Sequence, residues 1–296
     1  MNHDRRDGLH VFDLDGTLLR SDATLSPYAR DGLNKLVDEG TSLSVASARS
    51  AVAIRTLLAG VRLTLPVIEL NGAFLTDLAS GRHLAHRTLD PAVAAVALDA
   101  FGRLAAEPVL TTWDGTADRV LYGPCGNPAL AWYVEEKRAY GDPRLSPYAD
   151  PYAEVAGTRT AAVIGFVPDE EAKAAVVVLE AALRGTAHVL AAANAYVPGW
   201  SEIQVAHPQA EKGVAVRELA RTAGLGDARL TVYGDHLNDL PMFAVADRAV
   251  APANAHPDVR ARAAVVTAAN DEDGIVRYLL DGDTPPGART PRIPGD

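Results

Sequence analysis

The stretch Leu9-His10-Val11-Phe12-Asp13-Leu14-Asp15-Gly16-Thr17-Leu18 decides the fold. Its apolar run, Leu9 to Leu14, has the length of a strand and stops at Asp15-Gly16-Thr17, the pattern of a strand buried on both faces of a parallel sheet. Asp13 and Asp15 stand two apart, so an extended chain projects both carboxylates to one side. In open α/β sheets ligands bind beyond the carboxyl ends of the strands. Two carboxylates there repel unless a cation lies between them or one keeps its proton, so the pair predicts a hard metal or a shared proton. A turn capped by its own aspartate explains Asp-Gly-Thr alone. The strand before it and the second aspartate shift the weight toward a site.

Outward from this strand the same rhythm continues. A helix pattern covers Pro27 to Glu39, with Ser26 as its cap and Pro27 at the first helical position. A strand at Ser42 to Ala46 runs into Ser47-Ala48-Arg49, a helix covers Ala51 to Leu58, and a strand at Pro66 to Glu69 leads to Asn71-Gly72. After Glu211 come a helix at Lys212 to Thr222, a strand at Leu230 to Tyr233 and a helix beginning near Asn238 or Leu240. Strands at Arg248 to Ala251 and Ala264 to Thr267 and a helix at Asp271 to Leu280 close the pattern.

Between the two halves the rhythm changes. Strands at His83 to Arg87, Val109 to Thr112, Arg119 to Tyr122 and Thr160 to Phe166 mix with helices at Pro91 to Ala106, Pro128 to Ala139 and Asp169 to Leu183. A Pro/Tyr-rich loop, Asp142 to Tyr152, interrupts them. The fold class is therefore α/β, with a Rossmann-like parallel-sheet core from residues 1–80 and 192–282 and an inserted α+β domain over 81–191. The Pro-, Gly- and Arg-rich end, 283–296, offers nothing to bury and is expected to be a disordered tail.

A second acidic run, Gly234-Asp235-His236-Leu237-Asn238-Asp239, also follows an apolar strand. If both strands are parallel, it brings two more carboxylates and a carboxamide to the same sheet edge. An oxygen-only ligand set favours magnesium over zinc or copper. Helix capping by Asn238 or Asp239 is the plainer reading and is compatible with ligation. Lys212 opens a helix, a poor place for a cation against the helix dipole, and that misfit favours a function over a solvated surface lysine.

Four motifs in this order resemble the haloacid dehalogenase-like hydrolases: Asp13-Leu-Asp15-Gly-Thr17-Leu, Ser47 after its apolar strand, Lys212-Gly213, and Gly234-Asp235 through Asn238-Asp239. Asn71-Gly72-Ala73, Asn238-Asp239-Leu240-Pro241-Met242 and Asn270-Asp271-Glu272-Asp273-Gly274 are similar to the Cof-type phosphatases within that superfamily. The resemblance runs from about residue 9 to 281. Two positions depart from the subgroup: Ser47-Ala48-Arg49 stands for its usual Thr-Gly-Arg, and Ala253-Asn254-Ala255 for Gly-Asn-Ala.

The resemblance implies a HAD-like core whose insert is a cap over the active site. It further implies Asp13 as nucleophile toward a phosphate monoester and Asp15 as general acid and base. Asp13, the main-chain carbonyl of Asp15 and Asp235 would hold Mg2+, with Asn238 and Asp239 ligating through water or fixing Lys212. Ser47 and Lys212 would meet phosphoryl oxygens, and Arg49, Asn71, Gly72 and Asn238 would line the substrate side. An aspartate of ordinary pKa, about 3.9, is a poor acid at neutral pH, so Asp15 is expected near other negative charge or partly desolvated.

The chain's 296 residues carry 28 basic against 38 acidic side chains, a formal charge of −10. That balance repels nucleic-acid backbones and anionic membranes over most of the surface. No apolar stretch approaches the ~20 residues needed to span a bilayer, and the single cysteine, Cys125, cannot form an intrachain disulfide. A cytoplasmic enzyme acting on a small phosphorylated metabolite fits best, with no protein partner implied. A sugar phosphomutase with the same nucleophile, or a phospho-ligand binding protein without turnover, are the alternatives. Neither a Gly-x-Gly-x-x-Gly fingerprint nor a P-loop is present.

Overall fold

The computed structural model describes residues 8–139, 141–194 and 196–281. The expected tail at 283–296 lies outside the described residues. The chain forms two compact units, one from the segments up to His86 and from Glu211 onward, the other Arg87–Ala210.

The first unit opens with β1 (Leu9–Phe12), α1 (Pro27–Asp38), β2 (Ser42–Val45), α2 (Ala51–Leu57), β3 (Val67–Glu69), β4 (Phe74–Thr76) and β5 (His83–His86). The second unit contains α3 (Pro91–Arg103), β6 (Val109–Trp113), β7 (Asp118–Tyr122), α4 (Pro128–Ala139) and β8 (Leu145–Pro147). It continues with α5 (Pro151–Gly157), β9 (Arg159–Pro168), α6 (Asp169–Leu183), β10 (His188–Ala193) and β11 (Trp200–Ala206). The first unit then resumes as α7 (Lys212–Thr222), β12 (Leu230–Tyr233), α8 (Leu240–Phe243), β13 (Arg248–Ala251), α9 (Pro257–Arg260), β14 (Val265–Val266) and α10 (Gly274–Asp281).

The first unit's main sheet has the order β14-β13-β12-β1-β2, and every pair in it is parallel. Strand alternation divides its apolar side chains between two cores. Leu9 and Val11 join Val232, Ala251 and the α7 residues Ala215 and Leu219 on one face. Phe12 joins Val45, Tyr233 and the α1 residues Leu33 and Leu36 on the other. Burial on both faces explains why Leu9–Phe12, apolar but for the buried His10, does not alternate between apolar and exposed polar residues. Ser26 caps α1 by accepting from the Ala29 amide at 2.9 Å, with Pro27 at the first helical position.

Three details depart from the sequence reading. The short strand at Pro66 to Glu69 belongs mainly to a separate antiparallel sheet, β3-β4-β5, joined to the end of β2 by a single parallel bridge between Ala46 and Ile68. The strand at His83 thereby falls in the first unit, not in the insert. At the other boundary β11 pairs antiparallel with β9 and carries β10 with it, so residues 192–210 lie in the second unit instead of the core. β4 has only three residues, two of them apolar, within a turn-rich stretch, and β10 carries mostly exposed small residues, which hides both from periodicity.

The second unit is a six-stranded sheet, β10-β11-β9-β6-β7-β8. Its pairs are antiparallel apart from β7 with β8. Phe101 of α3, Val155 of α5 and Leu179 of α6 share one core with Val163 and Val205 of the sheet. Leu130 and Val134 of α4 share another with Val109 and Phe166. The Pro/Tyr-rich segment expected to be a loop contains β8 and the start of α5.

Candidate active site

The polar residues of the first unit gather where β12, β1 and β2 end side by side. The Phe12–Tyr233 and Phe12–Val45 registers bring the three strand ends level. The Asp13 amide continues the ladder by donating to Tyr233 O at 2.8 Å. Ser47 donates its amide to Ile68 O at 3.0 Å and its carbonyl accepts from the Asn71 amide at 2.9 Å, so the end of β3 is tied beside that of β2. Parallel pairing alone therefore converts motifs far apart in the chain into one edge.

After Asp13 the chain leaves the sheet in a tight loop that closes with the Leu19 amide on Leu14 O at 2.8 Å. Gly16 sits in this loop at φ +73°, and a Cβ there would lie 2.4 Å from an Asp235 carboxylate oxygen. Both facts call for glycine. The next residue, Thr17, donates its hydroxyl to Asp235 Oδ1 at 2.9 Å. Asn254 holds the same loop from outside, donating to Gly16 O at 2.7 Å while its own oxygen accepts from the Asn270 amide at 3.0 Å.

Lys212, the first residue of α7, is only 1% exposed. Its Nζ donates to Asp13 Oδ1 at 2.5 Å and to Asp239 Oδ1 at 2.6 Å. The other oxygen of Asp239 accepts from the amides of Asp235, at 2.9 Å, and His236, at 3.0 Å. Asp239 is thus occupied as an anchor for Lys212 and for the 234–239 turn. Two carboxylates offset the dipole penalty that makes a helix start a poor place for a lysine. Gly72, at φ +105°, lets the end of β3 press against the backbone just before Lys212, where a Cβ would meet Glu211 O at 2.6 Å. This close approach is a packing contact.

Asp13, Asp235 and Asp239 each bring a carboxylate oxygen within 4.8 Å of the others. One ammonium faces three carboxylates. Burial and then the Asp239 and Asp235 charges push Asp13 well above the usual carboxylate range, against the opposing pull of Lys212. Burial and then the neighbouring Asp239 push Asp235 up to about 6, opposed by the Thr17 hydrogen bond and by Lys212. Burial alone would lower Lys212, but Asp13 and Asp239 outweigh it and hold the ammonium above its ordinary range. Among the described residues nothing donates to Asp13 Oδ2 or Asp235 Oδ2. Two uncommitted oxygens in an over-negative, partly dry cluster suit a hard dication.

A pH dependence of stability follows. A carboxyl whose folded pKa lies above its unfolded value stabilises the fold below the unfolded pKa and loses that contribution as pH rises through the folded one. For Asp235 the window runs from the ordinary 3.8 to about 6. In chelator, Asp235→Asn is therefore expected to gain on the wild type by about 2–3 kcal/mol across that window. Urea melts at pH 4 and pH 7 measure it, and a difference that stays constant with pH contradicts the assignment.

Asp15 takes a different direction from Asp13. β1 has ended at Phe12, and the tight loop turns the Asp15 carboxylate toward Arg49 instead of into the acidic cluster. Arg49 grips it with both prongs, Nε on Oδ2 and Nη2 on Oδ1, each at 2.7 Å. The Asp15 side chain is 49% exposed and that of Arg49 27%. The expectation that Asp15 is desolvated or crowded by negative charge is thus corrected, because its neighbour is a guanidinium. Asn238 donates to Asn71 Oδ1 at 3.1 Å, so these two carboxamides are joined across 167 residues. Asn71 itself holds a left-handed φ of 56°. Thr17 and Asn254 had no assigned role in the sequence reading, although each lay within a quoted motif.

The chain as a whole is similar to known proteins. The family model described as haloacid dehalogenase-like hydrolase matches residues 10–279. A 5-amino-6-(5-phospho-D-ribitylamino)uracil phosphatase of Bacillus subtilis is 25% identical over 278 residues, 92% of this chain and 96% of that protein. An HMP-PP phosphatase of Cronobacter sakazakii is 26% identical over 264 residues, 86% of each. Among solved structures, a haloacid dehalogenase-like hydrolase from Bacteroides thetaiotaomicron aligns with a TM-score of 0.75 at 21% identity, covering 93% of this chain and 99% of that one.

Proposed function

The chain belongs to the haloacid dehalogenase-like hydrolase family, and from that premise we propose that it hydrolyses small phosphorylated metabolites as phosphate monoesters, using Mg2+ and an aspartyl-phosphate on Asp13. The observation that carries this reading is the buried Asp13 carboxylate, held by Lys212 through one oxygen and open at the other. The named relatives are phosphatases, which supports the reaction class.

In the proposed sequence Asp13 Oδ2 attacks phosphorus in line, forming the acyl-phosphate bond as the bond to the leaving oxygen breaks. Asp15 hands its proton to that oxygen. Asp15 then takes a proton from the water that attacks phosphorus, releasing inorganic phosphate and restoring the Asp13 carboxylate. Ser47 and Lys212 bind equatorial phosphoryl oxygens, so most of their contribution is positioning and charge stabilisation. Asp13, Asp235 and the Asp15 carbonyl would hold the cation, which when bound neutralises the carboxylates and polarises the phosphoryl group. Asp239 fixes Lys212, and Asn238 braces Asn71. Unit Arg87–Ala210 is proposed as the cap that selects the leaving group.

No helix among the described residues is long and apolar enough to cross a membrane. A cytoplasmic setting completes the proposal. Release of p-nitrophenol from p-nitrophenyl phosphate in Mg2+ tests it. EDTA is expected to slow release by about a hundredfold or more, with recovery on adding excess Mg2+. A rate indifferent to EDTA removes the metal from the proposal, and no phosphate release from a broad ester panel favours a binding protein without turnover.

A further inference from the structure

Helix α6 of the second unit turns an apolar side to solvent. Its inner side, Ala175, Leu179 and Leu183, is buried in the core it shares with the sheet. An amphipathic helix carries charged and polar residues opposite such a stripe. Here the outer side holds Ala174, Val177, Val178 and Ala181, all exposed, with Val177 at 60% and Val178 at 37%. Val96 of α3, the helix packed beside α6, adds a third valine at 38%. Helix formation does not explain the valine pair, because a β-branched residue is a poorer helix former than the lysine, glutamate or glutamine that suits an exposed position. At spacings of three, four and seven these side chains are neighbours on one face. A continuous apolar face rimmed by charge marks an association site, which a single exposed valine would not.

The charges along this face choose the occupant. α6 begins with Asp169, Glu170 and Glu171 and closes on Arg184, and the exposed charges between them are Lys173 and Glu180. Glu170, Val177 and Arg184 follow at seven-residue steps, and so do Lys173 and Glu180, which places them along one side of the helix. Seven residues span about 10 Å of helix axis, too far for Lys173 and Glu180 to pair with each other. Among the described residues none of Glu170, Lys173, Glu180 and Arg184 makes an ion pair. A second α6 running antiparallel and crossing at Val177 supplies the missing partners. Glu170 then falls opposite Arg184 of the second copy, and Lys173 within one residue of that copy's Glu180, each contact repeated by the two-fold axis. A parallel pair would set like charges side by side. Self-complementarity of this kind selects a copy of the same surface. We propose that α6, with Val96 of α3 at its border, is the isologous interface through which two copies of this chain associate. The surface lies wholly within the second unit and is independent of the reaction proposed for the first.

Sedimentation equilibrium of the full chain across micromolar concentrations tests this, and the mass is expected to rise from one chain to two. Val177→Glu sets a carboxylate against its own copy at the crossing point and should leave single chains only. Lys173→Glu alone turns two attractions into two repulsions and should raise the dissociation constant about tenfold or more, as should Glu180→Lys. Both reversals in one chain restore opposite charges across the two-fold axis and should bring the constant back to within about threefold of the wild type. All three positions are exposed, so circular dichroism and thermal melts at low concentration should match the wild type. Single chains at every concentration of the wild type overturn the inference, as does a dimer that survives Val177→Glu. A dimer that both single reversals leave unchanged, or that the double reversal fails to recover, overturns the antiparallel pairing.

Discussion

Asp13→Asn is expected to lower Mg2+-dependent phosphate release by about a thousandfold or more while leaving the fold intact. Asparagine keeps the shape of the side chain and an oxygen that accepts from Lys212, at the position now 2.5 Å from Nζ. It lacks the second anionic oxygen, so no acyl-phosphate can form. One of three crowded carboxylates also disappears, and because burial and carboxylate repulsion oppose ionisation of Asp13, the metal-free variant should melt no lower than the wild type. Coupled phosphate assays and thermal melts of the same preparation separate the two effects. Turnover within tenfold of the wild type would sink the nucleophile assignment.

Lys212→Met is expected to be the most destabilising single change at the site. The side chain is 1% exposed and its partners Asp13 and Asp239 are 6% and 0% exposed. Methionine of similar length fills the space but leaves the carboxylates without a counter-charge. Removing one member of a buried ion pair costs about 3–5 kcal/mol. The loss should be smaller at pH 4, where Asp13, pushed up by burial, can take up a proton, and Asp239→Asn in the same chain should recover part of it. Urea denaturation of the single and double variants is the measurement, and a loss below about 1 kcal/mol would mean that the cluster is not charged as described.

Much of the site was legible because its rules are local. Asp13 and Asp235 each follow an apolar strand, so reading those strands as parallel was enough to bring them to one edge, where they share the acidic cluster. Lys212 stood out as a cation at a helix start, and its two carboxylate contacts account for that misfit. Asp15 shows where the local rule stopped. Two residues after Asp13 it should have shared a face with it, but the strand ends at Phe12 and Gly16 turns the loop, so Asp15 meets Arg49 instead. The space around Gly72 is set by Glu211, a residue far away in the chain, which no local pattern shows. The strand at Trp200 to Ala206 was overlooked because its partners, β9 and β10, define it more than its own pattern does.

The apolar run ending in two aspartates therefore determined by itself the parallel α/β core, the edge where chemistry gathers and the hard-cation character of the ligands. Each follows from alternation along a strand and the chemistry of carboxylate oxygen. Tertiary structure alone decided how the charges are shared: Lys212 between Asp13 and Asp239, Thr17 on Asp235, Arg49 on Asp15. The reason is physical. A charge's partner depends on register and desolvation between segments as much as 218 residues apart, and no local pattern carries either.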